Sequence, residues 1–545
     1  MVSSLEIFEN YIKNIKDKKI VKKLKDMSKE QIEANFASNL MFGTAGMRGT
    51  MELGTNHVNE LTVCKLAQSV ADYLNKNAQN PSVVVCFDTR LNSKKFSRLF
   101  AKVLDKNNIK TLLFKNFAPT PLCVYATTLY RATLGVMITA SHNNKNYNGI
   151  KIYDSNGIQI NENIQQEISA NFEKTDEISS YNAVFNKKLG NNIEFLNKGI
   201  EKHFINSDSN QEKKDLKIVY TPLNGTGYFC VSNILKENGY KFFCPKTQKK
   251  ASGYFKTCPY PNPEFIDAFE QSLKLAKQKD ADIIVATDPD ADRIGVMVKH
   301  DGDYVLLTGN EIGYIFADYK LNQIDDKNKF VVTSVVSSPL IDDICKIHDA
   351  KVYKTLTGFM SLGNKAKELC EKFGKDAMAL VYEESCGYVV KNNYFDKDGI
   401  FATLEICNIV NILKQKHKTL VDYLYDIYKK TSYIYTIGDS VKFEGPTSKQ
   451  DMQNKVNGIR KNPPKQICGK KIEKVIDYLT DNTGLNKQNF IEYQAKDITF
   501  IIRPSGTEPK LKIYLFQKGK DRKDAKDKAK IAIQEVKNLL KWIKI

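Results

Sequence analysis

Three aspartates stand at alternate positions in the run Thr287-Asp288-Pro289-Asp290-Ala291-Asp292-Arg293. Pro289 stiffens the turn, so three carboxylates can converge on one hard cation. Magnesium suits them, because it takes oxygen ligands in near-octahedral geometry and keeps positions open for phosphate oxygens. An EF-hand calcium loop beginning at Asp288 would want glycine at its sixth position and glutamate at its twelfth. Arg293 and Lys299 stand there instead. The aspartyl-phosphate pattern of the haloacid-dehalogenase type would put threonine or valine where Asp292 stands. A solvated acidic turn is the remaining alternative, and the buried strand just before the run argues against it.

A second run, Thr139-Ala140-Ser141-His142-Asn143, precedes Tyr147-Asn148-Gly149-Ile150-Lys151. A serine where a strand gives way to a loop can present its hydroxyl to a cleft, and a phosphoserine there would offer an oxygen to a cation. Adjacent side chains on a strand point apart, so His142 is not expected to serve Ser141 as a triad base. No G-x-S-x-G elbow is present. Two further loops suit a ligand. Glu383 and Ser385 are spaced to hydrogen-bond vicinal hydroxyls. Arg503, Ser505, Gly506 and Thr507 offer a guanidinium, two hydroxyls and a permissive backbone to a phosphate. Alone, each is a surface turn as readily as a site, and the loop Gly43–Gly49 is equally ambiguous. Without a Walker A or kinase glycine loop, a nucleotide is not the expected phosphoryl donor.

Such loops need strands to deliver them, and short β-rich runs alternating with helical patterns predict an α/β architecture. Ser82–Phe87 reads as a buried strand followed by the polar turn Asp88-Thr89-Arg90, and Leu134–Ile138 as the strand that ends at the serine run. Ile164, Ile168 and Phe172 mark one face of a helix. The pattern restarts with strands at Lys217–Tyr220 and Asp282–Ala286, the latter delivering the aspartates. It restarts again from Phe330–Val332 to Ala379–Tyr382, which feeds Glu383-Glu384-Ser385-Cys386-Gly387. Each cycle places its polar residues just after a strand, where open α/β sheets expose binding loops. Strands at Ile498–Ile502 and Leu511–Phe516 flank the arginine loop. A last helix carries Ala525, Ala529, Ala532, Val536, Leu539 and Ile543 on one stripe. The lysine- and asparagine-rich stretches Asn206–Lys214 and Thr447–Lys461 read as linker or surface loop.

The chain's 545 residues exceed one hydrophobic core, and roughly three to five domains are expected. Its 82 Lys+Arg against 63 Asp+Glu leave a net charge of +19. The lysines are scattered and no recognition motif accompanies them, so nucleic acid is not an expected partner. A positive field would still help capture a phosphorylated ligand. No apolar run approaches the ~20 residues that cross a bilayer. Leu5, Phe8, Ile12 and Ile15 repeat at helical spacing among charges, which predicts an amphipathic surface helix and not a signal peptide. The eleven cysteines show no C-x-x-C pair. Cys86 and Cys230 lie in or beside apolar runs, Cys386 in a polar loop, and a disulfide-free cytoplasmic protein is expected.

Taken together, the four loops resemble those of the α-D-phosphohexomutase superfamily, which includes phosphoglucomutases and phosphomannomutases. The resemblance runs from Phe42 to Tyr514 with the motifs in family order. It implies an α/β fold of four domains around a central cleft, three related α/β units with mixed sheets and a smaller C-terminal α+β domain. The expected boundaries are 1–205 with the phosphoserine loop, 206–306 with the magnesium loop, 307–432 with the sugar loop and 433–545 with the phosphate loop. By resemblance, Ser141 is the phosphorylated serine and, with Asp288, Asp290 and Asp292, a magnesium ligand. Arg293 matches the arginine after them. His142 and Lys151 match groups that handle protons or charge, either being a candidate general base, and Arg48 matches a charge-stabilising arginine. Glu383 and Ser385 match sugar contacts, Thr357-Gly358 a loop that distinguishes two sugar orientations, and Arg503, Ser505, Gly506 and Thr507 the phosphate site. Three positions depart from the family pattern: Asn144, where proline is usual, Ala291, often glycine, and Cys386.

The implied reaction is reversible phosphoryl transfer on a sugar phosphate, glucose 1-phosphate to glucose 6-phosphate, through phosphoserine and a bisphosphate intermediate. Mg2+ is the implied cofactor and a sugar 1,6-bisphosphate the activator, in a monomer or homodimer without nucleic-acid or membrane partners. Glu383-Glu384-Ser385 leans toward glucose. The Phe42–Gly46 loop and Lys397-Asp398-Gly399 resemble the branch that also holds phosphopentomutases, so phosphomannomutase and phosphopentomutase activities stay open. A catalytically silent sugar-phosphate binder is the remote alternative.

Overall fold

The computed structural model describes residues 3–43, 46–196, 199–205, 213–444, 447–505 and 509–542. The chain divides into two compact units, Met1–Thr308 with Ser385–Thr419, and Gly309–Glu384 with Leu420–Ile545.

The first unit holds two mixed sheets. Strands β1 (Met47–Thr50), β2 (Ser82–Phe87), β3 (Lys110–Phe114), β4 (Leu134–Ile138), β5 (Tyr147–Asp154) and β6 (Ile193–Leu196) pair in the order β1-β5-β4-β2-β3-β6. β4, β2, β3 and β6 are parallel, and β5 runs antiparallel to both β4 and β1. All five residues of β4 and five of the six in β2 are buried, as strands covered on both faces require. The register sets Lys151 of β5 beside Met137 and Arg48 of β1 beside Gly149. Helices Glu60–Asn77 and Ser93–Lys106 pack into the same core through Leu66, Val70, Phe100 and Leu104. Helix Glu162–Lys174 buries Ile168 and Phe172, as its spacing predicts.

The second sheet contains β7 (Ile218–Thr221), β8 (Phe242–Phe243), β9 (Ile283–Thr287), β10 (Ile294–His300) and β11 (Asp303–Leu306), in the order β11-β10-β9-β7-β8. β9 and β10 are antiparallel, with Thr287 opposite Ile294, so the aspartate run is the connection between two paired strands. Helix Gly399–Gln415 also belongs to this unit.

In the second unit, β12 (Phe330–Ser334) lies parallel to β13 (Lys351–Thr355) on one side and β14 (Met378–Glu383) on the other. The C-terminal region is an antiparallel sheet in the order Tyr433–Lys442, Lys510–Gly519, Ile498–Pro504, Ile491–Ala495, Lys470–Asp477 and Gln466–Ile467. The last helix, Arg522–Trp542, packs on it through Ala529, Ala532 and Val536. The three related α/β units and a smaller β-rich module are therefore as expected.

Two expectations need correction. Thr447–Lys461 is not a loop: Ser448–Lys461 is a helix whose Met452, Val456 and Ile459 enter the C-terminal core. Those apolar residues recur at i, i+4 and i+7, which suffices for a buried stripe despite the polar composition. On the last helix Leu539 packs partly buried against that core, as expected, and Leu540 joins the buried face. At the N-terminal helix Ser4–Asn14, Leu5 is exposed; Phe8, Tyr11 and Ile15 are buried in the core and Ile12 packs against it. Ile543 and residues 206–212 of the first lysine-rich stretch lie outside the described residues.

Candidate active site

The chain leaves β4 at Ile138 and turns sharply at Ser141, whose φ of +51° is left-handed. That turn overrides the expectation drawn from an extended strand. Ser141 Oγ comes within 3.3 Å of His142 Nδ1, although the two residues are adjacent. Ser141 Oγ also donates to Asp288 Oδ2 at 2.7 Å.

Asp288, Asp290 and Asp292 are buried, and one carboxylate oxygen of each lies within 4.8 Å of the others. Such a cluster needs positive charge. Lys151, reaching in from β5, donates to Asp290 Oδ2 and Asp292 Oδ2, each at 2.8 Å. Lys397 Nζ stands 3.6 Å from the same Asp292 oxygen. Arg293 donates its main-chain N–H to Asp288 Oδ1 at 3.2 Å, and its guanidinium reaches Glu264 Oε1 at 3.1 Å and the Ser385 carbonyl at 2.9 Å. Arg48 donates to Asn143 Oδ1 at 3.0 Å, beside Ser141.

The charges reshape one another. Burial, then Asp290 and Asp292, push the Asp288 carboxyl well up. Burial acts against ionised Asp290 and Asp292, and the charge of Asp292 adds to this at Asp290. Even so both lie below the ordinary carboxylate range, Asp290 through Lys151 and the hydrogen bond with Asp288, Asp292 through Lys151, Lys397 and Arg293 together. For Lys151 itself burial disfavours the charge and the two aspartates reverse this, raising its pKa and keeping it an ammonium. Burial, followed by Arg293 and Arg48, drives His142 well below its usual value and leaves it a neutral imidazole.

Oδ1 of Asp290 and Oδ1 of Asp292 are buried without a hydrogen bond. Orphaned carboxylate oxygens on a converging hard-donor set fit a metal ion. The loop that bears them is gripped from behind. Thr226 donates its N–H to the Pro289 carbonyl at 2.8 Å, and a Cβ on Gly225 would stand 2.4 Å from Pro289 Cα, so only glycine allows this approach.

In the second unit, Gly358 (φ +102°) caps helix Phe359–Phe373, and Thr357 Oγ1 stands 3.5 Å from Gln488 Oε1. Glu383 ends β14, and its neighbour Glu384 accepts from Ser334 Oγ at 3.2 Å. Arg503 lies near the end of strand Ile498–Pro504, and the Ser505 N–H donates to the Lys510 carbonyl at 2.9 Å. Tyr514 packs with Leu356 in one apolar cluster; burial, then Glu384, push its hydroxyl's pKa up, and Arg503 opposes them. Gly506 and Thr507 lie outside the described residues. The Glu383–Ser385 pair is divided: Glu383 belongs to the second unit and Ser385 to the first.

Several site neighbours carry no local motif. Thr120 donates its hydroxyl to Asp290 Oδ2 at 2.7 Å and its N–H to the Asp290 carbonyl at 2.8 Å, across 170 residues. Lys397 belongs to the Lys397-Asp398-Gly399 segment, noted in the sequence for its branch resemblance, but nothing in that segment predicts its approach to Asp292. Glu264 partners Arg293. Asp88 and Arg90 read in sequence only as a polar turn after a buried strand. That strand is the one signal that could have drawn attention to them.

Comparison with known proteins decides what the constellation belongs to. Three consecutive family models match, described as phosphoglucomutase/phosphomannomutase alpha/beta/alpha domains I, II and III, over residues 39–179, 194–302 and 308–431. The chain belongs to the phosphoglucomutase/phosphomannomutase family. It is 33% identical to a phosphoglucomutase of Staphylococcus haemolyticus (strain JCSC1435), over 89% of this chain and 91% of that protein. It is 32% identical to a phosphoglucomutase of Staphylococcus aureus (strain MRSA252), over 95% and 97% of the two chains. The crystal structure of a candidate phosphomannomutase from Thermus thermophilus shares the fold, with a TM-score of 0.72 at 19% identity over 92% of this chain and 99% of that one. As a member of the α-D-phosphohexomutase superfamily, the chain is a sugar-phosphate mutase, an isomerase that works by phosphotransfer.

Proposed function

We propose that this mutase interconverts glucose 1-phosphate and glucose 6-phosphate through a phosphoryl group carried on Ser141. The observation that carries the reading is the Ser141 hydroxyl seated 2.7 Å from Asp288 beside three buried carboxylates. Asp288, Asp290, Asp292 and a phosphate oxygen on Ser141 would hold Mg2+, which supplies charge neutralisation at the transferring group.

In the forward direction, phospho-Ser141 gives its phosphoryl group to the free hydroxyl of the sugar monophosphate, forming a P–O bond to the sugar as the bond to Ser141 Oγ breaks. The bisphosphate turns over, and its other phosphate returns to Ser141. Arg48 and Lys151 stabilise charge on the group in flight, where most phosphoryl-transfer catalysis arises. Of the two candidate bases, His142, a neutral imidazole, takes the proton of the attacking hydroxyl, whereas Lys151, kept an ammonium by Asp290 and Asp292, serves as the charge stabiliser. Arg293 orders the aspartate loop beside the sugar. Glu383 and Ser385 bind the hydroxyls, Thr357-Gly358 accommodates both orientations, and Arg503, Ser505, Gly506 and Thr507 hold the idle phosphate. A sugar 1,6-bisphosphate acts as activator by restoring lost serine phosphate. We place the domain limits at 1–205, 206–306, 307–432 and 433–545; the third family match, 308–431, and the strand that begins at Tyr433 support the last two, whereas the second match begins at residue 194, inside the first. All eleven cysteines are free, which suits a reducing cytoplasm. The oligomeric state we favour is a monomer or homodimer.

Coupled assays with glucose, mannose and ribose 1-phosphates, each with a trace of bisphosphate, test the substrate. The expected result is a kcat/KM for glucose 1-phosphate at least about tenfold above the others, ~1.4 kcal/mol in the transition state. A higher value with mannose or ribose phosphate would reassign it.

A further inference from the structure

We propose that Arg90, braced by Asp88, is a positioning residue that holds the Ser141 backbone in the conformation from which its Oγ can react; this rests on Ser141 being the phosphoryl carrier. Arg90 is 3% exposed, in the turn after β2. A guanidinium so buried needs a counter-charge and acceptors for its N–H groups. The counter-charge is Asp88, whose Oδ2 lies 3.2 Å from Nε. The rest of its fork reads main chain. Nη1 donates to the carbonyls of Asn144 at 2.7 Å and Tyr147 at 3.2 Å, and Nη2 donates to those of Ser141 and Asn143. The 141–147 loop is thus wrapped around one side chain. Lysine could not copy this planar arrangement of donors.

Ser141 is where that grip matters. A non-glycine residue at positive φ costs of order 1 kcal/mol or more and persists only where its surroundings over-determine it. Both of its backbone polar groups are tied to the same pair. Its carbonyl accepts from Arg90. Its N–H donates to Thr139 Oγ1 at 2.9 Å, and Thr139 Oγ1 donates in turn to Asp88 Oδ2 at 2.7 Å. Ser93 Oγ and the Arg90 N–H hold the other Asp88 oxygen at 2.7 and 2.9 Å. The Phe255 ring lies 5.1 Å from the guanidinium, and Gly253 bridges to Arg90. With its carbonyl fixed toward Arg90, Ser141 directs Oγ to Asp288.

The test compares Arg90→Lys and Thr139→Val in the full-length enzyme, well below each variant's melting temperature. Positioning predicts a kcat lower by about a hundredfold in Arg90→Lys, the loss that a small misplacement of reacting groups brings. It predicts about tenfold in Thr139→Val, which removes both relay hydrogen bonds, from the Ser141 N–H and to Asp88, and adds no buried charge. KM should stay within about twofold in both, because the sugar contacts are untouched. A merely structural role would lower the melting temperature and leave kcat intact. Wild-type kcat in either folded variant, or a change confined to KM, overturns the proposal; if Arg90→Lys does not fold, Thr139→Val decides. Ser141→Ala separates the two claims. Activity retained in that variant removes the carrier reading itself, whereas an inactive Ser141→Ala with fully active Arg90→Lys and Thr139→Val removes only the positioning role.

Discussion

Thr120 binds Asp290 twice, by hydroxyl and by main-chain N–H, and so sets the direction in which that carboxylate offers its remaining oxygen. Partners behind a metal ligand typically matter by 10–100-fold in affinity or activity, on the order of 1–3 kcal/mol. Thr120→Val should therefore raise the Mg2+ concentration needed for half-maximal activity by about tenfold or more. A metal titration unchanged from wild type would show that Asp290 is not oriented this way. At this scale the sequence is partly legible. Asp288, Asp290, Asp292, Ser141 and Lys151 stand in compact runs whose chemistry can be read locally. Thr120, Arg90 and Lys397 are single residues whose roles arise only when distant strands meet. The contact between Ser141 and His142 defies the sequence-based expectation because alternation on a strand ceases to hold once φ turns positive.

The elements follow more directly from composition, because continuous apolar runs such as those of β2, β4 and β9 admit few other fates. The helix Ser448–Lys461 is hard to see in the sequence, where lysine and asparagine mask three apolar residues on one stripe. Asp398 illustrates a different element-level constraint. It caps helix Gly399–Gln415, accepting from the N–H groups of Ile400 at 2.7 Å and Phe401 at 3.1 Å and from the Tyr394 hydroxyl. Burial nevertheless dominates and raises its pKa to about 6. A carboxyl with a raised folded pKa favours the native state most below its unfolded pKa and loses that contribution as pH rises to about 6. Asp398→Asn keeps a capping side chain and cannot titrate. Relative to this variant, wild type should lose roughly 2 kcal/mol of stability between about pH 4 and pH 7. Paired unfolding curves at several pH values check this, and parallel curves would contradict it.

Across the whole molecule, lysines and arginines exceed acids enough to give a net charge of +19, and Arg48, Arg90, Lys151, Arg293 and Lys397 surround the triad. A sugar phosphate dianion approaching this field should be captured faster at low salt. Raising ionic strength from about 20 to about 300 mM should lower kcat/KM several-fold. A flat salt profile would mean that the excess charge is too dispersed to steer substrate. In the proposed mechanism Ser141, seated on the aspartate cluster, carries the phosphoryl group. Mass spectrometry of the enzyme after incubation with glucose 1,6-bisphosphate tests it most directly. One phosphate per chain is expected on the peptide containing Ser141, absent from Ser141→Ala along with nearly all mutase activity. Phosphate on another residue of the active enzyme, or full activity in Ser141→Ala, would contradict it.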